Sequence, residues 1–234
     1  GHQAAETHLL AGDTDAGYTR HLQVVETYPT EYYAYLSLVV LVEAGLPPDD
    51  FLRGQVDYYA GAYGPAVEAL YRYIGDSPDT HSGDAHYFIG MSFLRAGSPQ
   101  LAIGEFETLI DTHPDNRYVG DGWMGIAAAY SDQDRPNEAI ATYHTFAGTM
   151  PDHPRAPEAL WRAARLYELG GDIEAAARGF VDIHIQYPNS DYGSLALFRS
   201  GLHYYRLGAL ADADTAWNAL VEVYPDSSYR PAAR

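Results

Sequence analysis

The chain has 234 residues, 47% of them hydrophobic, which is enough to bury a substantial core and excludes a disordered polypeptide. Its 32 acidic residues against 14 basic ones give a formal net charge of −18, so binding to the phosphates of nucleic acid or to an anionic membrane is disfavoured. Cysteine is absent, which excludes disulfides and thiol catalysis, and no apolar run approaches the roughly 20 residues of a membrane span.

The first 78 residues predict irregular helical units. Residues 12–29 are expected to contain the second helix of a truncated repeat, because Pro29 cannot continue a helix. The apolar segment from Glu31 to Ala44 predicts one additional helix.

The unit that ends at Pro78 is expected to keep its second helix, from Pro65 to Ile74. In the stretch where its first helix should present small and aromatic residues, the chain has Arg53, Gly54 and Asp57. We therefore expect this first helix to pack differently from those that follow.

Residues 79–225 repeat with a period of 36 to 37 residues. The prolines that close the successive units are Pro78, Pro114, Pro151, Pro188 and Pro225. The alanines 12 residues before them are Ala66, Ala102, Ala139, Ala176 and Ala213. The large residues four positions after these alanines are Leu70, Phe106, Tyr143, Phe180 and Trp217. Another large apolar residue follows three positions later, and this four-and-three spacing predicts one face of a helix.

A second pattern predicts another helix upstream in each unit. Its small residues are Gly90, Ala127, Ala164 and Gly201, and the aromatic residues three positions later are Phe93, Tyr130, Tyr167 and Tyr204. Small residues allow two helices to approach closely. Gly97, Gly171 and Gly208 fall between the two helices, where a residue with positive φ can end the first.

From residue 83 to Pro225 the small, aromatic, alanine, large and proline positions resemble the tetratricopeptide repeat family. The resemblance implies an all-α fold, a right-handed superhelix of about five helix pairs with extra N-terminal helices. It also implies a single superhelical domain over 1–234. Residues 226–234 resemble the start of a truncated unit, so a capping helix or a further domain is expected after Arg234.

No catalytic or cofactor-binding signature is present. The sequence lacks a phosphate-binding glycine loop, paired histidines around a glutamate, and a nucleophile elbow, so we expect neither an enzyme nor a cofactor in this chain. His81 and His86 are five residues apart, a spacing that would place them on different sides of a helix, and no metal site is expected.

Arginine and aromatic residues recur on the first helices of the last two units. In the family that the sequence resembles, first helices line the concave face, and this implies a ligand-binding surface of Trp161, Arg162, Arg165, Phe198, Arg199, Tyr205 and Arg206. Arg162 and Arg199 are 37 residues apart and are expected to stack beside Trp161 and Phe198. A stripe of guanidinium groups favours carboxylate-bearing ligands. The alternative is that these arginines neutralise nearby acids, namely Glu158, Glu168 and Glu174.

The apolar half of the same face is expected farther toward the N-terminus. Its residues are Phe51, Tyr58, Tyr59, Tyr87, Phe88, Met91 and Met124. Packing of these side chains against the irregular N-terminal helices is the alternative.

These features favour a noncatalytic scaffold that binds a protein or peptide in the concave groove. The alternative is the superhelical part of a soluble lytic transglycosylase acting on peptidoglycan, which the linkers Tyr187–Tyr192 and Tyr224–Tyr229 resemble, with a catalytic domain beyond Arg234. That resemblance implies the bacterial envelope or periplasm, with the cytoplasm as the alternative location.

Overall fold

The computed structural model describes residues 1–230, which contain thirteen α-helices and no β-strand. The chain forms two compact units, one over Gly1–Gly125 and one that begins at Ile126, within α8. The helices are α1 (His2–Leu10), α2 (Thr14–Thr27), α3 (Tyr32–Glu43), α4 (Asp50–Tyr59), α5 (Tyr63–Asp76), α6 (Asp84–Arg95), α7 (Pro99–Thr112), α8 (Val119–Asp132), α9 (Pro136–Thr149), α10 (Ala156–Leu169), α11 (Ile173–Gln186), α12 (Gly193–Arg206) and α13 (Leu210–Val223). None of the described helices is both long and apolar enough to cross a bilayer.

The all-α helical-repeat fold is confirmed. Helices α4 to α13 form five consecutive pairs, and α1, α2 and α3 are the additional N-terminal helices. The predicted apolar helix after Pro29 is α3, and the predicted second helix before this proline is α2. The predicted start of a further unit over 226–234 lies partly outside the described residues.

The closing prolines explain where the six second helices end. Helices α2, α5, α7, α9, α11 and α13 each contain 14 residues and end two positions before a proline. The residue before a proline is forced out of the α region by the proline ring. These capping residues have ψ between 51° and 66°: Tyr28, Ser77, His113, Met150, Tyr187 and Tyr224.

The turn between the helices of a pair uses a left-handed residue, as predicted. Gly97, Gly171 and Gly208 have φ values of 75°, 83° and 76°. At the equivalent position of the remaining regular unit, Asp134 adopts φ 57°. Aspartate tolerates this region better than most residues do, so the turn is kept without a glycine.

Helix pairs pack through glycines that face large side chains. Phe106 of α7 is fully buried between Gly90 of α6 and Gly125 of α8. A Cβ at Gly90 would lie 2.6 Å from the Phe106 ring, and one at Gly125 would lie 2.5 Å from it. A methyl group at either position would therefore collide with the ring.

The expectation that α4 packs differently is wrong at Gly54. A Cβ at Gly54 would overlap with the side chain of Leu70 on α5, just as one at Gly201 would overlap with the indole of Trp217. The first helix of this unit thus approaches its partner as closely as those of the regular units do. What distinguishes α4 from the first helices of the regular units is Asp57, which stands where those helices have an aromatic residue.

Asp57 is a buried carboxyl group with weak compensation. Its side chain is part of α4, is only 4% exposed, and lies 3.8 Å from the Nε of Arg53. Burial raises the pKa of Asp57 to about 6, although Arg53 and Arg72 act in the opposite direction. The folded state therefore holds the proton more tightly than the unfolded state.

Replacing Asp57 with asparagine is expected to flatten the dependence of stability on pH. Because the folded pKa is raised, the contribution of Asp57 to stability falls as pH rises from 4 to 6, and Asp57→Asn removes this fall. Near pH 7 we expect the variant to be more stable by about 1–2 kcal/mol, since the partly exposed Arg53 offsets some of the cost of burying the charge. Urea unfolding of both chains at pH 4 and pH 7 measures the difference in their free energies of unfolding. An equal change between the two pH values in both chains would show that the buried charge has no effect.

Candidate ligand-binding surfaces

The predicted arginine residues lie on α10 and α12, in the second unit. The face of α10 that packs inward consists of small and apolar residues that are 5% exposed or less: Ala156, Ala159, Leu160, Ala163 and Ala164. Positions next to this face carry Trp161, Arg162, Arg165 and Glu168. The 3.6-residue period of the helix thus separates the core side chains from the polar ones.

Two guanidinium groups share the carboxylate of Glu168. The Nη1 of Arg199 on α12 donates to both carboxylate oxygens, at 2.9 and 3.0 Å. Arg165 on α10 donates to the same carboxylate. The Arg199 guanidinium also lies 5.5 Å from the ring centroid of Trp161, a cation–π distance.

Arg206 adds a third positive charge on the same helix as Arg199. It is exposed at the end of α12 and has no ion pair among the described residues. His203, one turn earlier, places Nε2 3.3 Å from Glu168. Burial lowers the pKa of His203, which keeps the imidazole neutral near pH 7. We name Trp161, Arg165, Glu168, Arg199 and Arg206 the arginine surface, which carries three cations and one anion, two of the cations bound to that anion.

Arg162 belongs to a different ion pair. It binds Glu158 of its own helix, at 2.9 Å from Nε and 2.8 Å from Nη2, and Arg155 binds the same carboxylate. Glu174 pairs with Arg178 on α11 instead. Arg162 and Arg199 thus have separate partners. Arg162 neutralises Glu158 and Arg199 neutralises Glu168, but neither of them neutralises Glu174.

Each of the two predicted aromatic residues, Trp161 and Phe198, contacts a tyrosine from the following linker. The Trp161 ring is 5.5 Å from Tyr192, and Phe198 stacks on Tyr229 at 5.3 Å. Tyr205 is 60% exposed. The linker tyrosines were not predicted as site residues, although each follows its partner by 31 residues, a spacing that the sequence shows.

The first unit repeats this aromatic pairing. Tyr87 of α6 stacks on Tyr118, also 31 residues later, with ring centroids 3.9 Å apart. Tyr58 and Tyr59 of α4 lie 5.2 and 5.8 Å from Phe88. We name these five residues the tyrosine cluster. Burial raises the pKa of Tyr58 and of Tyr87, so these phenols stay protonated at neutral pH and can donate hydrogen bonds.

The other residues of the predicted apolar half are not all available to a ligand. Phe51 packs against Tyr73 of α5 at 5.0 Å, and Met124 is only 5% exposed. The packing alternative therefore describes Phe51 and Met124, and also Phe88, which is 1% exposed. Met91 is partly exposed on α6.

The prediction that His81 and His86 lie on different sides of a helix is wrong. His81 lies in the turn before α6, which begins at Asp84, so helical spacing does not apply to it. The structure brings His81, His86 and His113 together, with one ligand atom from each within 4.8 Å of the others. A second group consists of His2, Glu6 and His21. The long-range approach of His113, from the turn after α7, has no signal in local spacing.

Comparison with known proteins identifies the repeats. The family model described as "Tetratricopeptide repeat" matches residues 124–191, and a second tetratricopeptide model matches residues 195–227. These two segments of the chain are thus similar to tetratricopeptide repeats. No curated protein matches the sequence.

Solved structures share the fold. A crystal structure of a TPR repeats protein from Bacteroides fragilis has a TM-score of 0.56 and 18% identity, and the match covers 77% of this chain and 92% of that chain. A MamA structure has a TM-score of 0.53 and 15% identity over 75% and 90% of the two chains. PilW, described as a type IV pilus biogenesis factor, has a TM-score of 0.50 and 16% identity over 98% and 94%.

Proposed function

We propose that this chain is a noncatalytic scaffold that binds a protein or peptide carrying carboxylate groups, and that the arginine surface is its principal contact. The observation that carries the proposal is the excess of cations at Glu168. Two guanidinium groups share this carboxylate, and Arg206, which has no ion pair among the described residues, lies one turn after His203 and helps burial to lower the pKa of that imidazole.

A ligand carboxylate fits this arrangement chemically. A guanidinium group has five donors in a planar fork and can bind a second carboxylate while it keeps its first. Arg199 is also held between Glu168 and the face of Trp161, so little side-chain entropy is lost when a ligand binds. The net charge of −18 does not oppose such binding locally, because short-range ion pairs outweigh distant charges that salt screens.

The tyrosine cluster offers a second, independent contact in the first unit. Tyr59 is 46% exposed beside Phe88, and Arg117 lies 4.6 Å above the ring of Tyr118. Rigid aromatic rings with donating hydroxyl groups are typical of protein-binding surfaces. This cluster suits apolar side chains of a bound peptide.

A finer proposal places the scaffold in the bacterial envelope, with peptidoglycan-related peptides as ligands. It rests on the resemblance of the two tyrosine-proline linkers to those of lytic transglycosylases, and on the carboxylates that peptidoglycan stem peptides carry. The cytoplasm is the alternative location. The alternative function is that of the superhelical part of a lytic transglycosylase whose catalytic domain lies elsewhere in the protein.

Selection from a random peptide library tests the binding function. We expect selected peptides to be enriched in aspartate and glutamate, and to bind at least about 10-fold more weakly to an Arg199→Gln/Arg206→Gln variant. Arg178→Gln is the matched control, because Arg178 is exposed on α11 and, within residues 1–230, forms its ion pair with Glu174 alone. Equal binding by all three chains would contradict the assignment of the site, and a library that yields no binder would contradict the function.

A further inference from the structure

The three histidines of the first unit bring their Nε2 atoms to one point. The Nε2 of His81 lies 3.1 Å from that of His86 and 3.2 Å from that of His113. The residues come from three separate segments: the turn after α5, helix α6, and the cap of α7. This convergence lies apart from both the arginine surface and the tyrosine cluster.

The hydrogen bonds of the Nδ1 atoms fix which ring nitrogens carry protons. The Nδ1 of His81 lies 3.1 Å from the carbonyl oxygen of Ser77, which can only accept. The Nδ1 of His86 lies 2.8 Å from a carboxylate oxygen of Glu105. Both Nδ1 atoms are therefore donors, and in the neutral rings both Nε2 atoms present lone pairs toward each other.

Facing lone pairs at 3.1 Å repel unless an acceptor of electron pairs lies among them. If one ring carried a proton on Nε2, it could donate a hydrogen bond to one of the other two nitrogens. The third Nε2 would then have no donor. A metal ion can accept an electron pair from each of the three Nε2 atoms. Zinc binds imidazole nitrogens at about 2.0–2.1 Å in tetrahedral geometry, which separates the nitrogens by about 3.3 Å, close to the spacing found here.

The surroundings supply the supports that a metal site needs. One carboxylate oxygen of Glu105 accepts a hydrogen bond from the Nδ1 of His86, as a carboxylate does behind a metal-binding histidine. Tyr71 donates to the other Glu105 oxygen at 2.6 Å. Gly83 makes room for His113, because a Cβ there would lie 2.7 Å from the Cβ of His113. Asn116 binds Asp84 at 2.8 Å and fixes the turn that follows His113 to the start of α6.

We propose that this chain binds one zinc ion through the Nε2 atoms of His81, His86 and His113, with Glu105 orienting His86. Three protein ligands leave a fourth position for water or for a side chain of a partner. The ion would connect the turn before α6, α6 itself and the cap of α7, so it would tie together the two helices of the one repeat that Pro114 closes.

Titration of the metal-free chain with zinc, followed by calorimetry, tests the proposal. We expect one zinc ion per chain at this group. We expect His86→Gln and His113→Gln to weaken binding by more than the roughly 10- to 100-fold that loss of an outer-shell partner produces, and Glu105→Gln to weaken it within that range. Circular dichroism of each metal-free variant establishes that it is folded.

A His2→Gln variant is the matched control, because it removes a donor from the other histidine group. It is expected to keep the affinity of the three-histidine site. A spectroscopic readout keeps the test independent of stability: Co²⁺ bound to the wild-type chain should show the visible bands of a four-coordinate ion, and His86→Gln should lose them. No zinc uptake by the wild-type chain would overturn the proposal, as would uptake that only His2→Gln abolishes.

Discussion

Replacing Phe106 with alanine is expected to lower the free energy of unfolding of the first unit by about 3–5 kcal/mol. The Phe106 ring is fully buried, and Gly90 and Gly125 contact it from the two neighbouring helices. The glycines have no side chains that could move into the cavity, so the surrounding structure can collapse only partly. The loss should therefore lie in the upper part of the range for a core phenylalanine.

Denaturant unfolding followed by circular dichroism measures this loss. Leu101→Ala on the same helix is the control: Leu101 is 56% exposed, and its removal should change stability by less than about 1 kcal/mol. If Phe106→Ala and Leu101→Ala had equal effects, the central place of Phe106 in the packing of α6, α7 and α8 would be refuted.

Replacing Gly201 with alanine is expected to destabilise the second unit by about 1–3 kcal/mol, because the new methyl group overlaps with the indole of Trp217. Gly148→Ala on α9 is the matched control. It meets no atom within 4 Å, so the higher helix propensity of alanine should make it neutral or stabilising by up to about 1 kcal/mol.

A double-mutant cycle shows whether the collision is the cause. In a Trp217→Leu background the smaller side chain leaves room for the methyl group, and Gly201→Ala should then lose most of its effect. If the alanine were equally destabilising in both backgrounds, contact with the indole would not explain the glycine at this position.

The fold could be read from the sequence because its determinants are local and periodic. Each proline forces the preceding residue out of the α region, and each second helix ends where its proline predicts. The small residues also predicted the close approach of paired helices, as at Gly90 and Gly201. The error at Gly54 arose because the charged neighbours Arg53 and Asp57 obscured a position that still obeys the repeat.

The candidate sites were less predictable, since they depend on side chains that meet across helices. Spacing placed Arg162 and Arg199 in equivalent positions, but each takes the nearest carboxylate, and those carboxylates are not equivalent. The three-histidine group depends on His113, which approaches His81 from 32 residues away. By contrast, the linker tyrosines could have been found, because their offset of 31 residues from Tyr87, Trp161 and Phe198 is constant.

The arginine surface is tested most directly by pairing a change in the chain with a change in its ligand. The affinity of a selected acidic peptide, and of the same peptide with glutamine in place of its contacting glutamate, is measured for the wild-type chain and for Arg199→Gln. A direct charge pair predicts a coupling free energy of at least about 1.5 kcal/mol between the two changes. Additive changes, with a coupling of zero, would contradict the account of Arg199 as a residue that holds a ligand carboxylate.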